Sequence, residues 1–100
     1  MIEVKIEDDA ALEFQQHIDC GSITSDDLEI IRAWMCEIQT GNYESRILNS
    51  RYWNDHPLDG SWKGYRSSSF GFKGRIIYRR EQDRFIILVV RISPDHDYER

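Results

Sequence analysis

The second half of the sequence carries the residue types that could bind a phosphate. Lysine and arginine fall on three strand-like segments: Lys63 and Arg66 on the first, Lys73, Arg75 and Arg79 on the second, and Arg91 on the third. Side chains two residues apart on a strand share a face, so the three cations of the second segment would line one surface. Because arginine stays charged and can hold two phosphate oxygens at once, this surface suits a phosphodiester. The alternative is that these charges protect sheet edges against aggregation.

Two histidines could move protons beside that surface. His56 lies between Asp55 and Pro57, just before the first strand-like segment, and His96 lies near the C-terminus, two residues before Tyr98. An unperturbed imidazole titrates near pH ~6.5 and can act as a general acid or base. The alternative for a loop histidine is a structural role in capping a turn or binding water. The neighbouring cations are what favour the catalytic interpretation.

The two halves of the chain differ in the sign of their charge. Residues 1–44 contain two basic and eleven acidic side chains, a sum of −9, whereas residues 45–100 contain eleven basic and seven acidic ones, a sum of +4. The total of −5 does not exclude a nucleic acid ligand, because attraction depends on the local potential within a Debye length of about 8–10 Å. The alternative is that the acidic side chains of the first half simply form the solvent-exposed faces of helices.

Length and composition predict one domain that spans residues 1–100. A chain of 100 residues is too short to bury two cores, and 40% hydrophobic with 31% charged residues is typical of a globular protein. The longest apolar run, from Phe85 to Val90, is far shorter than the ~20 residues that cross a bilayer. We therefore expect a cytoplasmic protein without a membrane partner. Cys20 and Cys36 are expected to be thiols, and no ligand spacing indicates a metal site.

Hydrophobic periodicity predicts the elements that must position these residues. An alternating segment opens the chain, two amphipathic helices end at Gly21 and Gly41, and residues 61–69, 72–80 and 85–92 have the pattern of strands. Thr24 with Asp27 indicates a capping box on the second helix. Residues 42–60 form an irregular connection with one helical turn near 45–49. The order β-α-α-β-β-β predicts an α+β fold with both helices on one face of a mostly antiparallel four-stranded sheet, and the doubly apolar run at 85–90 should lie inside it.

Two segments resemble a known protein family. Residues 55–66 read DHPLDGSWKGYR and closely resemble the D-H-P-L-x-G-x-W-K-G-Y-R segment of the YafQ-like branch of the RelE/ParE toxin superfamily. Residues 75–79 read RIIYR and resemble a strand found across that superfamily. The resemblance implies the toxin of a type II toxin–antitoxin pair, with an antitoxin protein as its partner. It further implies an endoribonuclease that cuts messenger RNA in the ribosomal A site without a metal or other cofactor.

The resemblance also implies roles for individual residues. In such enzymes the ribose 2′-hydroxyl attacks the adjacent phosphate, which requires a base, an acid and cations for the developing charge. His56 matches the histidine of the D-H-P-L segment, His96 a C-terminal histidine, and Arg75 the arginine that grips the scissile phosphate. Arg66 matches a basic strand position and is expected to converge with Arg75 on one phosphate-binding surface. Tyr98 would orient or stack on a base.

Two positions depart from the pattern of the resembled branch. Ser69 and Lys73 stand where YafQ-like enzymes place a histidine and an aspartate. A serine cannot act as a general acid or base at neutral pH, so His56 or His96 would have to carry the acid–base chemistry. The departure leaves room for a non-cleaving member, either a ParE-like protein that poisons DNA gyrase or an inactive homologue that only binds antitoxin.

Overall fold

Two helices pack against one face of a five-stranded sheet in the computed structural model, which describes residues 2–81 and 86–95. The strands are β1 (Glu3–Ile6), β2 (His56–Pro57), β3 (Arg66–Phe70), β4 (Gly74–Glu81) and β5 (Ile86–Ser93). The helices are α1 (Asp8–Asp19) and α2 (Ser25–Gln39), followed by a π-helical segment (Tyr43–Leu48) and a short 3₁₀ turn (Gly60–Trp62). Within the described residues, no helix is long and apolar enough to cross a membrane.

The helix boundaries follow the predicted capping signals. Thr24 Oγ1 accepts from the Asp27 amide at 3.1 Å and Asp27 Oδ2 accepts from the Thr24 amide at 3.0 Å, which completes the predicted capping box. Each helix is followed by a glycine with positive φ, +82° at Gly21 and +90° at Gly41, a conformation that favours glycine after a helix C-terminus.

The strand order is β1-β5-β4-β3-β2, with β1 parallel to β5 and all other neighbours antiparallel. The predicted α+β class, with the helix pair on one face of a mostly antiparallel sheet, is confirmed. The apolar strand β5 lies between β1 and β4, as its two apolar faces predict. The fifth strand is the two-residue β2, which is too short to leave a periodic pattern in the sequence.

Two predicted strands begin later than their sequence pattern indicates. The segment at 61–69 becomes a strand only at Arg66, because the 3₁₀ turn and Gly64, with φ +94°, precede it. The segment at 72–80 becomes a strand at Gly74, because the turn continues through Phe72 and Lys73. The prediction that Lys63 and Lys73 lie on strands is therefore wrong. The connection predicted at 81–84 lies mostly outside the described residues.

The core lies between α2 and the sheet. Ile31, Trp34 and Ile38 of α2 are fully buried against Ile76 and Tyr78 of β4. Burying one large apolar side chain contributes roughly 1.5–3 kcal/mol, so this layer fixes which face of β4 points toward the helices. Cys20 and Cys36 are both exposed and free, as expected of two thiols.

Candidate active site

Strand register divides the predicted site residues between the two faces of the sheet. Trp34 of α2 donates from Nε1 to Ser68 Oγ at 2.9 Å, so Ser68 points toward the helices. Its neighbours Ser67 and Ser69 must point the other way, because side chains alternate along a strand. We call the side of the sheet that points away from α2 the distal face.

The distal face brings a histidine and several arginines together. Directly opposed residues on neighbouring strands share a face, and the pairs are His56 with Ser67, Ser69 with Arg75, and Ile77 with Arg91. His56 and Arg75 therefore share the distal face, two strands and two residues apart. Strand dimensions put their Cα atoms roughly 12 Å apart. At this separation, the imidazole of His56 and an extended Arg75 side chain can contact the same phosphodiester from its two sides.

A bulge in β5 keeps Arg91 on this face. The pairing passes from Tyr78 with Val89 to Ile77 with Arg91, which leaves Val90 without an opposite partner. One inserted residue reverses the alternation of the strand. Arg91 consequently lies beside Ile77. The pairing of β5 with β1 ends at Val89, so Arg91 is at a free edge, where its Nε reaches to 3.8 Å from Glu13 Oε1 of α1.

The imidazole of His56 is oriented by the backbone. Its Nδ1 lies 2.8 Å from the carbonyl oxygen of Asn54. A carbonyl only accepts, so Nδ1 carries the hydrogen and Nε2 of the neutral ring keeps its lone pair. Asn54 has φ +45°, in the left-handed region that asparagine tolerates better than most residues. This turn orients the ring so that Nδ1 faces the backbone and Nε2 points away from the Asn54 carbonyl.

The arginines of the distal face differ in whether a carboxylate already forms an ion pair with them. Arg79 lies 3.4 Å from Glu81 and places its guanidinium 5.9 Å from the centre of the Tyr65 ring. Arg75 is half-buried and donates from Nη1 to the Gly74 carbonyl at 2.8 Å. No carboxylate of residues 2–81 or 86–95 forms an ion pair with it. Arg75 thus keeps donor groups for an incoming anion.

Arg66 lies on the other side of the sheet. It pairs with Tyr78 across β3 and β4, and its Nε donates to Asp55 Oδ1 at 2.6 Å. The expectation that Arg66 and Arg75 converge on one surface is wrong. The physical reason is parity, because Arg66 is three residues from Ser69, the partner of Arg75, and an odd step reverses the face.

The carboxylate that holds Arg66 is the centre of a buried hydrogen-bond network. The Asp55 side chain is 0% exposed, and its Oδ2 accepts from Ser68 Oγ and from the Tyr78 hydroxyl, each at 2.6 Å. The hydroxyls of Tyr43 and Tyr78 lie 3.0 Å apart. Burial raises the pKa of Tyr78 well above its ordinary range, and the Asp55 charge raises it further. The Tyr78 hydroxyl therefore stays protonated and donates to Asp55.

The remaining predicted residues lie at the margins of the site or beyond the described part of the chain. Lys63 is exposed after the 3₁₀ turn, and Lys73 is exposed in the turn between β3 and β4. His96 and Tyr98 lie outside the described residues. Asp55 was not predicted as a site residue, since a buried carboxylate in a loop leaves no periodic signal in the sequence.

Solved structures resemble this fold over nearly the whole chain. A metal-bound toxin from Helicobacter pylori superposes with a TM-score of 0.74 at 17% identity, covering 96% of each chain. YafQ from Escherichia coli has a TM-score of 0.70 at 17% identity, covering 93% of this chain and 92% of that one. YoeB in the YoeB–YefM complex from Staphylococcus aureus has a TM-score of 0.67 at 11% identity, covering 100% and 99%.

The similarity over the whole chain is detected by comparing structures. No protein-family model and no curated protein matches the sequence. YafQ is also seen in the DinJ–YafQ complex, at a TM-score of 0.68. The resemblance noted at residues 55–66 and 75–79 agrees with the structural comparison, because the chain has the fold of YafQ and YoeB.

Proposed function

We propose that this chain is the toxin of a type II toxin–antitoxin pair and that it cleaves messenger RNA on the ribosome. The fold it shares with YafQ and YoeB supports this role, since both are seen in complexes, with DinJ and YefM respectively. By the same analogy, the partner of this chain is an antitoxin protein. Fold alone does not dictate activity, so the cleavage chemistry must be argued from the site.

One observation carries the proposed chemistry: His56 and Arg75 share the distal face. His56 Nε2 accepts the proton of a ribose 2′-hydroxyl, and that oxygen forms a bond to the adjacent phosphorus. Arg75 donates to the non-bridging oxygens, whose negative charge grows in the transition state. The bond from phosphorus to the 5′-oxygen then breaks, and His96 supplies a proton to the departing oxygen. The products are a 2′,3′-cyclic phosphate and a 5′-hydroxyl.

Other cations position the RNA without taking part in proton transfer. Lys63, Lys73, Arg79 and Arg91 would bind phosphates along the strand, and Tyr98 would stack on a base. Contacts of this kind hold the register of a nucleic acid on a protein surface. Arg66 acts differently, because its ion pair with Asp55 makes it a positioning residue for the segment that carries His56.

A non-cleaving function is the alternative, and Ser69 is the observation that favours it. Ser69 lies opposite Arg75 on the distal face, where a proton-transferring side chain would be well placed. A serine hydroxyl does not act as a general acid or base at neutral pH. A gyrase-binding or antitoxin-binding protein would need no such group. This alternative predicts growth arrest with DNA damage signalling and uncut messenger.

Induced expression followed by primer extension tests the proposed function. We expect cuts in a translated transcript and none in the same transcript when its start codon is removed. Arg75→Ala should lower cleavage about a hundredfold or more, the usual cost of removing a group that stabilises transition-state charge. Arg32→Ala, which removes an exposed cation of α2, is the matched control and should cut like the unmodified protein. Growth arrest with intact messenger would overturn the proposal.

A further inference from the structure

A cavity on the helix-bearing side of the sheet holds two guanidinium groups that the proposed chemistry does not use. It has a volume of about 340 Å³, and its lining includes Tyr43, Leu48, Pro57, Tyr65, Arg66 and Arg80. Arg80 shares this side because it lies two residues after Tyr78 on β4. The cavity and the distal face with Arg75 are therefore on opposite sides of the sheet.

The two arginines have hydrogen-bonding capacity that the described residues leave unused. Arg80 Nε is buried and has no hydrogen-bond partner, and the guanidinium lies 5.5 Å from the centre of the Tyr43 ring. Among residues 2–81 and 86–95, Arg66 donates only through Nε, to Asp55. A buried donor without a partner costs free energy, and an anion in the cavity would remove that cost.

The local charge balance selects the kind of anion. Asp55 neutralises Arg66 at 2.6 Å, whereas Arg80 forms no ion pair within the described part of the chain. The cluster therefore carries one uncompensated positive charge, which matches a single carboxylate. Glu44 lines a neighbouring cavity of about 410 Å³ that Arg80 also borders, so a second negative charge would be repelled.

The rest of the lining favours a peptide over a nucleic acid. Leu48, Pro57 and the ring of Tyr43 offer apolar surface beside the two guanidinium groups. The helices on this side belong to the acidic half of the chain, with eleven acidic side chains against two basic ones in residues 1–44. That potential repels a polyanion but tolerates one carboxylate held at short range.

The geometry points to a docking site for a peptide segment that inserts one aspartate or glutamate between Arg80 and Arg66 and packs an apolar neighbour on Leu48 and Pro57. Arg80 provides the uncompensated charge and Arg66 a second, pre-oriented guanidinium. Because the site is on the side of the sheet opposite Arg75, such a segment can occupy it while the distal face is empty or filled. The inference does not depend on the proposed cleavage.

Nuclear magnetic resonance of the arginine Nε–Hε groups tests the site in the intact protein. The probes are a blocked twelve-residue peptide with one glutamate among leucine and serine, the same peptide with glutamine in that place, and a twelve-nucleotide RNA. We expect the glutamate peptide to shift the Arg80 signal and leave the Arg75 signal in place. The glutamine peptide should bind about tenfold or more weakly, the effect of losing a hydrogen bond to a charged group.

Substituting Arg80 tests whether the peptide binds at this cavity or is attracted by the positive charge of the protein in general. Arg80→Gln keeps much of the side-chain stem and should weaken the glutamate peptide about tenfold or more. Arg32→Gln removes an exposed cation of α2 that does not line the cavity and should leave the affinity for this peptide unchanged. Equal binding of the two peptides, an unmoved Arg80 signal, or a larger shift with RNA than with peptide would each overturn the inference. The peptide comparison on the unmodified protein holds even if a variant fails to fold.

Discussion

Tyr78 donates a 2.6 Å hydrogen bond to Asp55, and this bond ties the loop before β2 to the middle of β4. Asp55 is followed directly by His56, whose cross-strand partner Ser67 places it on the distal face. Asp55 is thus held in the buried network on the helix-facing side of the sheet, while His56, the next residue, lies on the distal face. The buried network positions the imidazole without contacting it.

Asp55→Ala should destabilise the fold strongly. It leaves Arg66 without its ion-pair partner and removes the acceptor of the Ser68 and Tyr78 hydroxyls, at a cost of about 3 kcal/mol. The free energy of unfolding in urea measures this. Asp59→Ala, which removes an exposed carboxylate just after β2, is the control and should change little. Equal unfolding midpoints for the two variants would contradict the role of Asp55.

Arg66→Ala should mainly lower stability, whereas Arg75→Ala should mainly lower RNA cleavage. Losing Arg66 leaves the Asp55 charge buried and unpaired, so stability should fall by about 2–3 kcal/mol. Losing Arg75 removes no ion pair, so stability should stay within about 0.5 kcal/mol while RNA cleavage falls about a hundredfold or more. Unfolding curves and cleavage rates on the same preparations measure both quantities. A stable Arg66 variant beside an unfolded Arg75 variant would reverse the assignment of faces.

The fold should lose stability at high pH through its buried tyrosines. Burial raises the pKa of Tyr78 and of Tyr43 above the ordinary value of 10.0, so above that pH the unfolded chain releases a proton that the folded chain keeps. This contribution is fully present below pH 10.0 and declines above it, by up to about 1.4 kcal/mol per pH unit for each tyrosine.

Unfolding free energies from about pH 9 to 11.5 measure that decline, because the interval brackets the ordinary tyrosine pKa. Tyr78→Phe should show a shallower decline than the unmodified protein, while Tyr52→Phe, at an exposed ring, should keep the full slope. Identical slopes for all three proteins would show that Tyr78 does not carry the effect.

Gly74→Ala should destabilise the hairpin between β3 and β4. A Cβ at this position would lie 2.5 Å from two ring carbons of Phe70 and 2.6 Å from the Phe70 carbonyl oxygen, and the backbone cannot move aside cheaply. Overpacking of this kind costs typically about 1–3 kcal/mol. Thermal unfolding against Lys73→Ala, the exposed neighbouring position, measures the effect. A melting temperature equal to that of the control would mean that the ring of Phe70 adapts.

The sequence predicts the helices and the fold class better than the strand limits. Thr24 and Asp27 form a local capping box, and local hydrogen bonds leave a local signature. Strands β3 and β4 start later than predicted because Gly64 and Gly71 adopt positive φ, which alternation of residue types does not reveal. The two-residue strand β2 exists only through its pairing with β3.

The sequence pattern predicts which arginines share a face only when they lie on the same strand. Residues 75 and 79 could be assigned to one surface, because parity within one strand is visible in the sequence. The face of Arg66 relative to Arg75 depends on which residues of β3 and β4 are opposite each other, and that register is a tertiary property. The partner of Arg66, Asp55, is eleven positions away in a loop and could not be inferred from spacing.

A single 2′-deoxynucleotide tests the central claim most directly. The purified protein is added to a reconstituted translation system programmed with a short messenger, and then with the same messenger lacking only the 2′-hydroxyl at the cleaved nucleotide. We predict that the unmodified messenger is cut to a 2′,3′-cyclic phosphate and that the deoxy messenger stays intact at that position. Cleavage of the deoxy messenger at the same rate would contradict attack by the ribose hydroxyl and the roles given to His56 and Arg75.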